Sequence, residues 1–374
     1  STKVTTRRFS NISPMPDNIQ AALQLIEERV SHANSKHYWM VRTDDGRNYP
    51  GFVENSFIAI NVLDCPTAFL HRIVNEYQTV SVRKQKIREQ ILQLHDNGTI
   101  NIANRNGDVE ASSLSRLANQ IYSLCFGMQQ GDIVVIPDAG ANRLCIGRIT
   151  DAQLAANPVV NGHFTLVRSV EWIKEIRKSR LDPCLYKALG AHQAICDISR
   201  YAEYIERNYN SYFVVDDKFY YVLTVNAESI SAYKLTSIIN SLLNTVQEIS
   251  NSEGLGIDVE DIQFSINVNS PGKFSFVTTA KNAALIMAVA VALFGGRISY
   301  ENFEASTDGG FSSLVKCVND YLNQAQNREQ REQLFERYID SLDLQSVENI
   351  NNMVDEEEMA EDGDDAEPDD DRAE

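Results

Sequence analysis

Apolar residues near the start of the chain recur at helical spacing. Ile19, Leu23, Ile26 and Val30 follow one another at steps of four, three and four behind Asp17 as N-cap, which predicts a short amphipathic helix over 17–32. The spacing then shortens to that of strands in "HYWMVRT" (37–43) and "SFIAINV" (56–62), separated by the turn-rich "DDGRNYPG". Helical periodicity returns in 82–95, "VRKQKIREQILQLH", and in 110–128, where Leu114, Leu117, Ile121, Leu124 and Cys125 share one side. Three more strands are predicted, at 132–136, at 143–150 and in "HFTLVRSVEWI".

From Pro183 the pattern changes. The run "LYKALGAHQAICDISRYAEYIERN" reads as helix, "YFVVDDKFYYVLTV" as a hairpin turning at Asp216 and Asp217, and 231–250 as a helix with a continuous apolar stripe. "IQFSINV" (262–268) alternates as a strand and is broken at Pro271 and Gly272. The most apolar segment, "NAALIMAVAVALFGG" (282–296), precedes helices expected at 311–326 and 328–343. No repeat of fixed period is visible.

A chain of 374 residues with 43% apolar residues exceeds one ordinary core and suits two domains. The net charge of −18 is unevenly spread. Residues 355–374 hold thirteen acids against Arg372, while residues 1–182 carry 21 Lys and Arg against 18 Asp and Glu and are net +3. These shifts divide the chain into an N-terminal helical extension (1–36), a strand-rich domain (37–182), an α+β domain (183–347) and an acidic tail (348–374). That tail has too little apolar surface to offset the entropy of ordering, so disorder is expected there. Cys65, Cys125, Cys145, Cys184, Cys196 and Cys317 are widely spaced with no CxxC pair, the usage of reduced core thiols in a cytoplasmic protein. The N-terminus has two arginines but no apolar core after them, so no secretory signal is expected.

Strands at short intervals over 37–173 suggest a small mixed β-barrel. "HYWMVRT", "GDIVVIPDAGANRLCIGRIT" and "LVRSVEWI", in that order, resemble the EVE-like domains of the PUA superfamily, including those at the N-termini of prokaryotic modification-dependent restriction and defence proteins. The resemblance covers about residues 37–180. It implies an α+β protein in which a PUA/EVE-like barrel recognises nucleic acid, with DNA carrying a flipped or modified base as the leading partner. A base taken out of its stack must regain stacking and edge hydrogen bonds, which calls for aromatic walls and polar groups near a basic rim.

On that reading Trp39, Arg42 and Thr43 line the start of the pocket and Trp172, in the final strand, joins them. Arg83, Lys84 and Lys86, with Arg88, would supply phosphate contacts from the basic helix. Each has a structural alternative. A strand Trp is often core, Arg42 has Asp44 and Asp45 as neighbours for a surface pair, and a charge run on a helix is often only its solvated face.

Residues 184–347 loosely resemble an uncharacterised bacterial module, with "SINVNSPGKF" as the shared turn, and no activity attaches to it. An oligomerisation or effector output of a defence-type sensor is expected there. A nuclease or nucleotide hydrolase with an unrecognised site is the alternative, but Asp216, Asp217 and Lys218 lack the Glu-x-Lys of a metal-dependent nuclease, and "NSPGKF" lacks the glycine spacing of a phosphate loop. No metal or cofactor is expected. The segment 282–296 is apolar all round and so is either central core or, in a further alternative, a membrane-acting helix. Only about 15 apolar residues lie there, against about 20 for a span, which favours core.

Overall fold

The computed structural model describes residues 18–30, 36–60, 67–152, 166–190, 193–227, 231–267, 272–295 and 309–324, with isolated positions at 303, 307, 333, 336–338 and 341–346. The tail and most of 328–343 lie outside them. The protein is mixed α/β and divides into two bodies, Ser35–Tyr209, and Ser1–Asn34 with Asn210–Glu374.

The first body is built on a curled six-stranded sheet. Its strands are β1 (Tyr38–Val41), β2 (Phe57–Ala59), β3 (Ile133–Pro137), β4 (Arg143–Ile149), β5 (Val167–Arg177) and β6 (Ile195–Asp197), in the spatial order β2-β5-β4-β3-β1-β6. β1 and β3 run parallel and every other neighbour pair is antiparallel. The two ends of this order, β2 and β6, do not pair among the described residues, so the sheet is a half-barrel and not a closed one.

One face of the sheet receives α2 (Tyr49–Glu54), α3 (Thr67–Glu76), α4 (Val80–Asp96) and α5 (Ala111–Tyr122). Ile87, Ile91 and Leu94 of α4 and Leu114, Ala118 and Ile121 of α5 stand on their inward stripes and meet Val41, Val134, Ile136 and Ile149 of the sheet. Each buried aliphatic side chain of this kind stabilises the body by about 1.5–3 kcal/mol. The opposite face carries Met40, Val135, Leu144 and Ile146, which pack against Leu181, Leu185, Ala188, Leu189, Ile198 and Ile205. Both faces are therefore covered, and β1 and β3 are buried at every position.

That second covering moves the domain boundary. The expected seam near Asp182 lies instead at Tyr209–Asn210, because the segment after Pro183 belongs to the sheet. The run expected to be one long helix holds two short ones, α6 (Tyr186–Leu189) and α7 (Ala202–Glu206), with β6 between them pairing Ile195 with Val41. The N-terminal extension also belongs elsewhere: α1 (Ile19–Val30) is part of the second body. Its cap is Asn18, whose Oδ1 accepts the Ala21 N–H at 2.8 Å; Asp17 lies outside the described residues.

The second body packs α1, α8 (Ala232–Glu253), α9 (Ala280–Phe294) and α10 (Gly310–Gln324) on a sheet of β7 (Tyr212–Val215), β8 (Lys218–Val225), β9 (Gln263–Asn267), β10 (Gly272–Thr278) and β11 (Leu344–Ser346). Helix α9 is the apolar 282–296 segment. Residues Ala283 to Val291 are all buried, among α1, α8, α10 and the strands β8 and β10. Among the described residues no helix is long and apolar enough to cross a membrane. β7 and β8 form a hairpin closed by Asp216 and Asp217, both with positive φ (50° and 61°) and flanked by the pair Val215–Lys218. That is a two-residue primed turn, so these acids serve chain reversal.

Two glycines have steric work in the first body. A Cβ at Gly147 in β4 would lie 2.4 Å from Val170 Cγ1 and 2.6 Å from Trp172 Cε3, so the indole lies across this glycine beside the bulge at Ile146–Gly147. After β1 the chain turns through Asp44, Asp45 and Gly46, all with positive φ, and a Cβ at Gly46 would lie 2.3 Å from Ala139 N. The loops 44–48 and 138–142 thus touch backbone to backbone.

Gly147→Ala is expected to lower the stability of this body by roughly 1–3 kcal/mol through overpacking. Urea unfolding followed by tryptophan emission measures it, since Trp39 and Trp172 are the chain's two tryptophans and both lie in this body.

Candidate nucleic-acid interface

The residues expected to wall a base pocket are structural. Trp39 is 9% exposed and belongs to the core; its Nε1 donates to Asp132 Oδ2 at 2.9 Å. The same carboxylate accepts the N–H of His37 at 3.0 Å and of Gln129 at 2.9 Å. Asp132 is itself buried, and Gly131 before it turns with φ 91°. The "GD" that opens β3 is therefore a junction holding β1, the 127–131 loop and the indole together. A buried carboxylate is tolerated there because three donors replace its water.

The other motif residues have similar roles. Trp172, half-buried, donates from Nε1 to Phe52 O at 3.0 Å and holds α2 to the sheet. Thr43, fully buried, donates to Pro137 O and ties the ends of β1 and β3. Arg42 donates to Leu189 O. Arg168, the basic residue of "LVRSVEW", is fully buried, pairs with Asp151 at 2.7 Å and donates to Leu124 O and Met128 O at 2.9 and 2.8 Å. Leu124 lies within a π-helical turn over Ser123–Gly127 and Met128 directly follows it, where the irregular backbone leaves acceptors for the guanidinium.

At the end of the sheet reached by Arg42 and Thr43, Tyr49 donates to Glu175, and Arg143 bridges Asp138 at 3.1 Å and Glu175 at 3.2 Å. Arg143 stands directly opposite Arg177, a like-charge pair made tolerable by those two acids. Cys145, buried beside Tyr49, has its thiol pushed up to about 12 by burial and by the Glu175 charge.

The basic helix presents a different surface. α4 lies between α3 and α5, and its cations reach both ways: Lys84 Nζ sits 5.1 Å from the Tyr122 ring centre and Lys86 Nζ 5.7 Å from that of Tyr77. Lys86 also pairs with Glu89 at 2.7 Å, a hydrogen bond that raises the Lys86 pKa. On α3, Arg72 lies 5.6 Å from the Phe69 ring. Arg83 is committed inward, donating to Tyr77 O at 2.7 Å and Val74 O at 3.3 Å at the end of α3, and Arg88 donates to Ser115 Oγ. Of the four cations predicted to contact phosphate, Lys84 and Lys86 thus form cation–aromatic pairs, Arg83 is a cap and Arg88 bonds Ser115.

Beside this layer runs a polar groove of about 390 Å³ between α5 and the extended segment 101–104. Asn101, Asn104, Glu110, Ser113, Arg116 and Gln120 line it together with Ile102, Leu114 and Leu117, and its volume falls within the range of small-ligand sites. Asn104 donates to Glu110 at 3.1 Å and accepts from Asn106 and Asp108, which fixes the 104–108 turn at the groove's end. Sequence reasoning missed these residues, since amides in a connection and polar positions on a helix's outer side carry no signal of a cavity. Among the described residues no group of three or more His, Cys, Asp or Glu side chains is placed to hold a metal ion.

Comparison of the chain with protein-family models, curated proteins and solved structures finds no match.

Two outcomes follow from this geometry. Asp132→Ala leaves one buried and two part-buried N–H donors without their acceptor and is expected to cost about 3 kcal/mol in urea unfolding, against about 1–2 kcal/mol for Trp39→Phe, which loses one bond. In the native protein at pH 8.5 Cys145 stays protonated and resists iodoacetamide, while the exposed Cys184 is alkylated, as peptide mass spectrometry will report.

Proposed function

We propose that Ser35–Tyr209 is a nucleic-acid-binding module, and that it engages an unpaired or flipped-out stretch of strand along α3–α5, with base edges read in the adjoining amide-lined groove. The observation that carries this is the interleaving of cations and aromatic rings on three neighbouring helices: Arg72 with Phe69, Lys86 with Tyr77, Lys84 with Tyr122. Single strands bind where positive charge tracks phosphates and rings offer stacking faces. Lys84, Lys86 and Arg116 meet the backbone, Tyr122 and Tyr77 stack, and the Gln120 amide, with the amide nitrogen of Asn101, presents the donor and acceptor that a base edge requires.

The order of motifs shared with EVE-like PUA domains supports the same class of ligand, a modified base among them, in a defence-type sensor whose second body provides oligomerisation or an effector output. The site differs from the one that resemblance implies, since Trp39 and Trp172 are spent on the sheet. The charge distribution agrees: residues 67–122 carry seven Lys and Arg against five Asp and Glu, within a chain of net −18.

Fluorescence anisotropy with labelled 20-nucleotide single strands of DNA and RNA, and with duplexes with and without modified cytosine, tests the reading. Tightest binding to an unpaired or modified strand is expected. Lys84→Glu and Arg116→Glu should each weaken it by about tenfold and reduce the salt slope by about one. Asn101→Ala with Gln120→Ala should alter base preference and leave the salt slope unchanged. Affinity no better than about 100 μM for every ligand at low salt overturns the proposal.

A further inference from the structure

Among the described residues, the sheet of the second body ends in a strand without the usual protection. β9 has β10 on one side and, among the described residues, no strand on the other. Its sequence, "QFSIN", holds no charge and no proline, and its pairing with β10 runs without a bulge from Gln263 to Asn267. Phe264 and Ile266 remain 40% and 46% exposed, although they stand in register with the buried Phe276 and Phe274 on the face that carries the helical core. Phe264 touches both of those rings, at centroid distances of 5.7 Å. Edge strands are ordinarily blunted by lysine, proline, bulges or a covering segment, and an apolar edge without them is a pairing surface.

We propose that β9 is a homodimer edge, pairing antiparallel with β9 of a second copy about a two-fold axis through Ser265. The strand's own pattern selects this occupant. Antiparallel pairing about Ser265 sets Phe264 opposite Ile266 of the other copy, Ile266 opposite Phe264, and Gln263 opposite position 267, so that each residue finds one of its own character. The apolar row Phe276–Phe264 then continues through the partner copy's Ile266 and Phe274, and the exposed pair gains cover on the edge that the described residues leave open. An isologous joint requires a surface complementary to itself, and this strand is one. Charge sets the direction. Asp258, Glu260 and Asp261 precede the strand and are exposed or half-exposed, so a parallel joint would bring both acidic clusters together, whereas the antiparallel one sets them at opposite ends.

The inference is independent of nucleic-acid binding, which lies in the other body. Sedimentation equilibrium of the full chain between about 1 and 100 μM should show a monomer–dimer equilibrium, and Ile266→Lys should raise its dissociation constant at least about tenfold with an unchanged far-ultraviolet spectrum. In a Cys184→Ser background, Ser265→Cys should form a covalent dimer on mild oxidation and Gln263→Cys should not, because only position 265 meets itself across the axis. A wild-type chain that stays monomeric at 100 μM, a dimer indifferent to Ile266→Lys, or a Ser265→Cys variant that crosslinks no better than Gln263→Cys overturns the proposal.

Discussion

The buried carboxylate of Asp132 decides the architecture of the first body. β1 and β3 are parallel neighbours separated by more than ninety residues, and parallel strands have no tight turn to set their register. Asp132 supplies that register by taking the His37 N–H from the start of β1, the Trp39 indole from its middle and the Gln129 N–H from the loop before β3. Arg168 repeats the device from β5, grasping the carbonyls of Leu124 and Met128 on the other side of the same loop. Two fully engaged charges therefore clamp the short passage from helix to sheet. Everything on the inner face, including the three helices that carry the proposed interface, is hung from strands aligned in this way.

The same chemistry explains what was legible in the sequence. Strands β3, β4 and β5 and helices α4, α5, α8 and α9 stood out because each has a local signature, an alternating or continuous apolar run or a stripe at helical spacing. The half-barrel was anticipated as a barrel, since nothing local distinguishes a sheet that closes from one whose end strands stay apart. β6 was invisible: three residues of strand inside a run with helical composition owe their conformation to β1, which lies more than 150 residues earlier. β10 was hidden because its apolar run follows a proline–glycine break and leads almost directly into α9.

The site was less legible than the fold for a related reason. Trp39 looks, in a linear string, like an aromatic wall, and nothing local to Arg168 marks it as a buried clamp. Their partners Asp132 and Asp151 sit 93 and 17 residues away, and only the assembled sheet joins them. Trp172 likewise packs on Gly147 and bonds Phe52 O, a carbonyl 120 residues away. The groove between α5 and 101–104 was missed because Asn101 and Asn104 belong to a connection and Gln120 to the polar side of a helix, where residue type alone does not announce a cavity. The basic start of α4 was noticed, but which of its cations caps α3 and which meet rings depends on helix neighbours that the string does not name.

The contact of Gly46 with Ala139 couples two loops that are distant in sequence. Neither loop can accept a side chain or an extra residue at that point without pushing on the backbone of the other, since the space for a single carbon is already filled. Relatives of this protein should therefore change the two connections together or not at all. An engineer grafting a new turn after β1 would have to transplant the 138–142 segment with it.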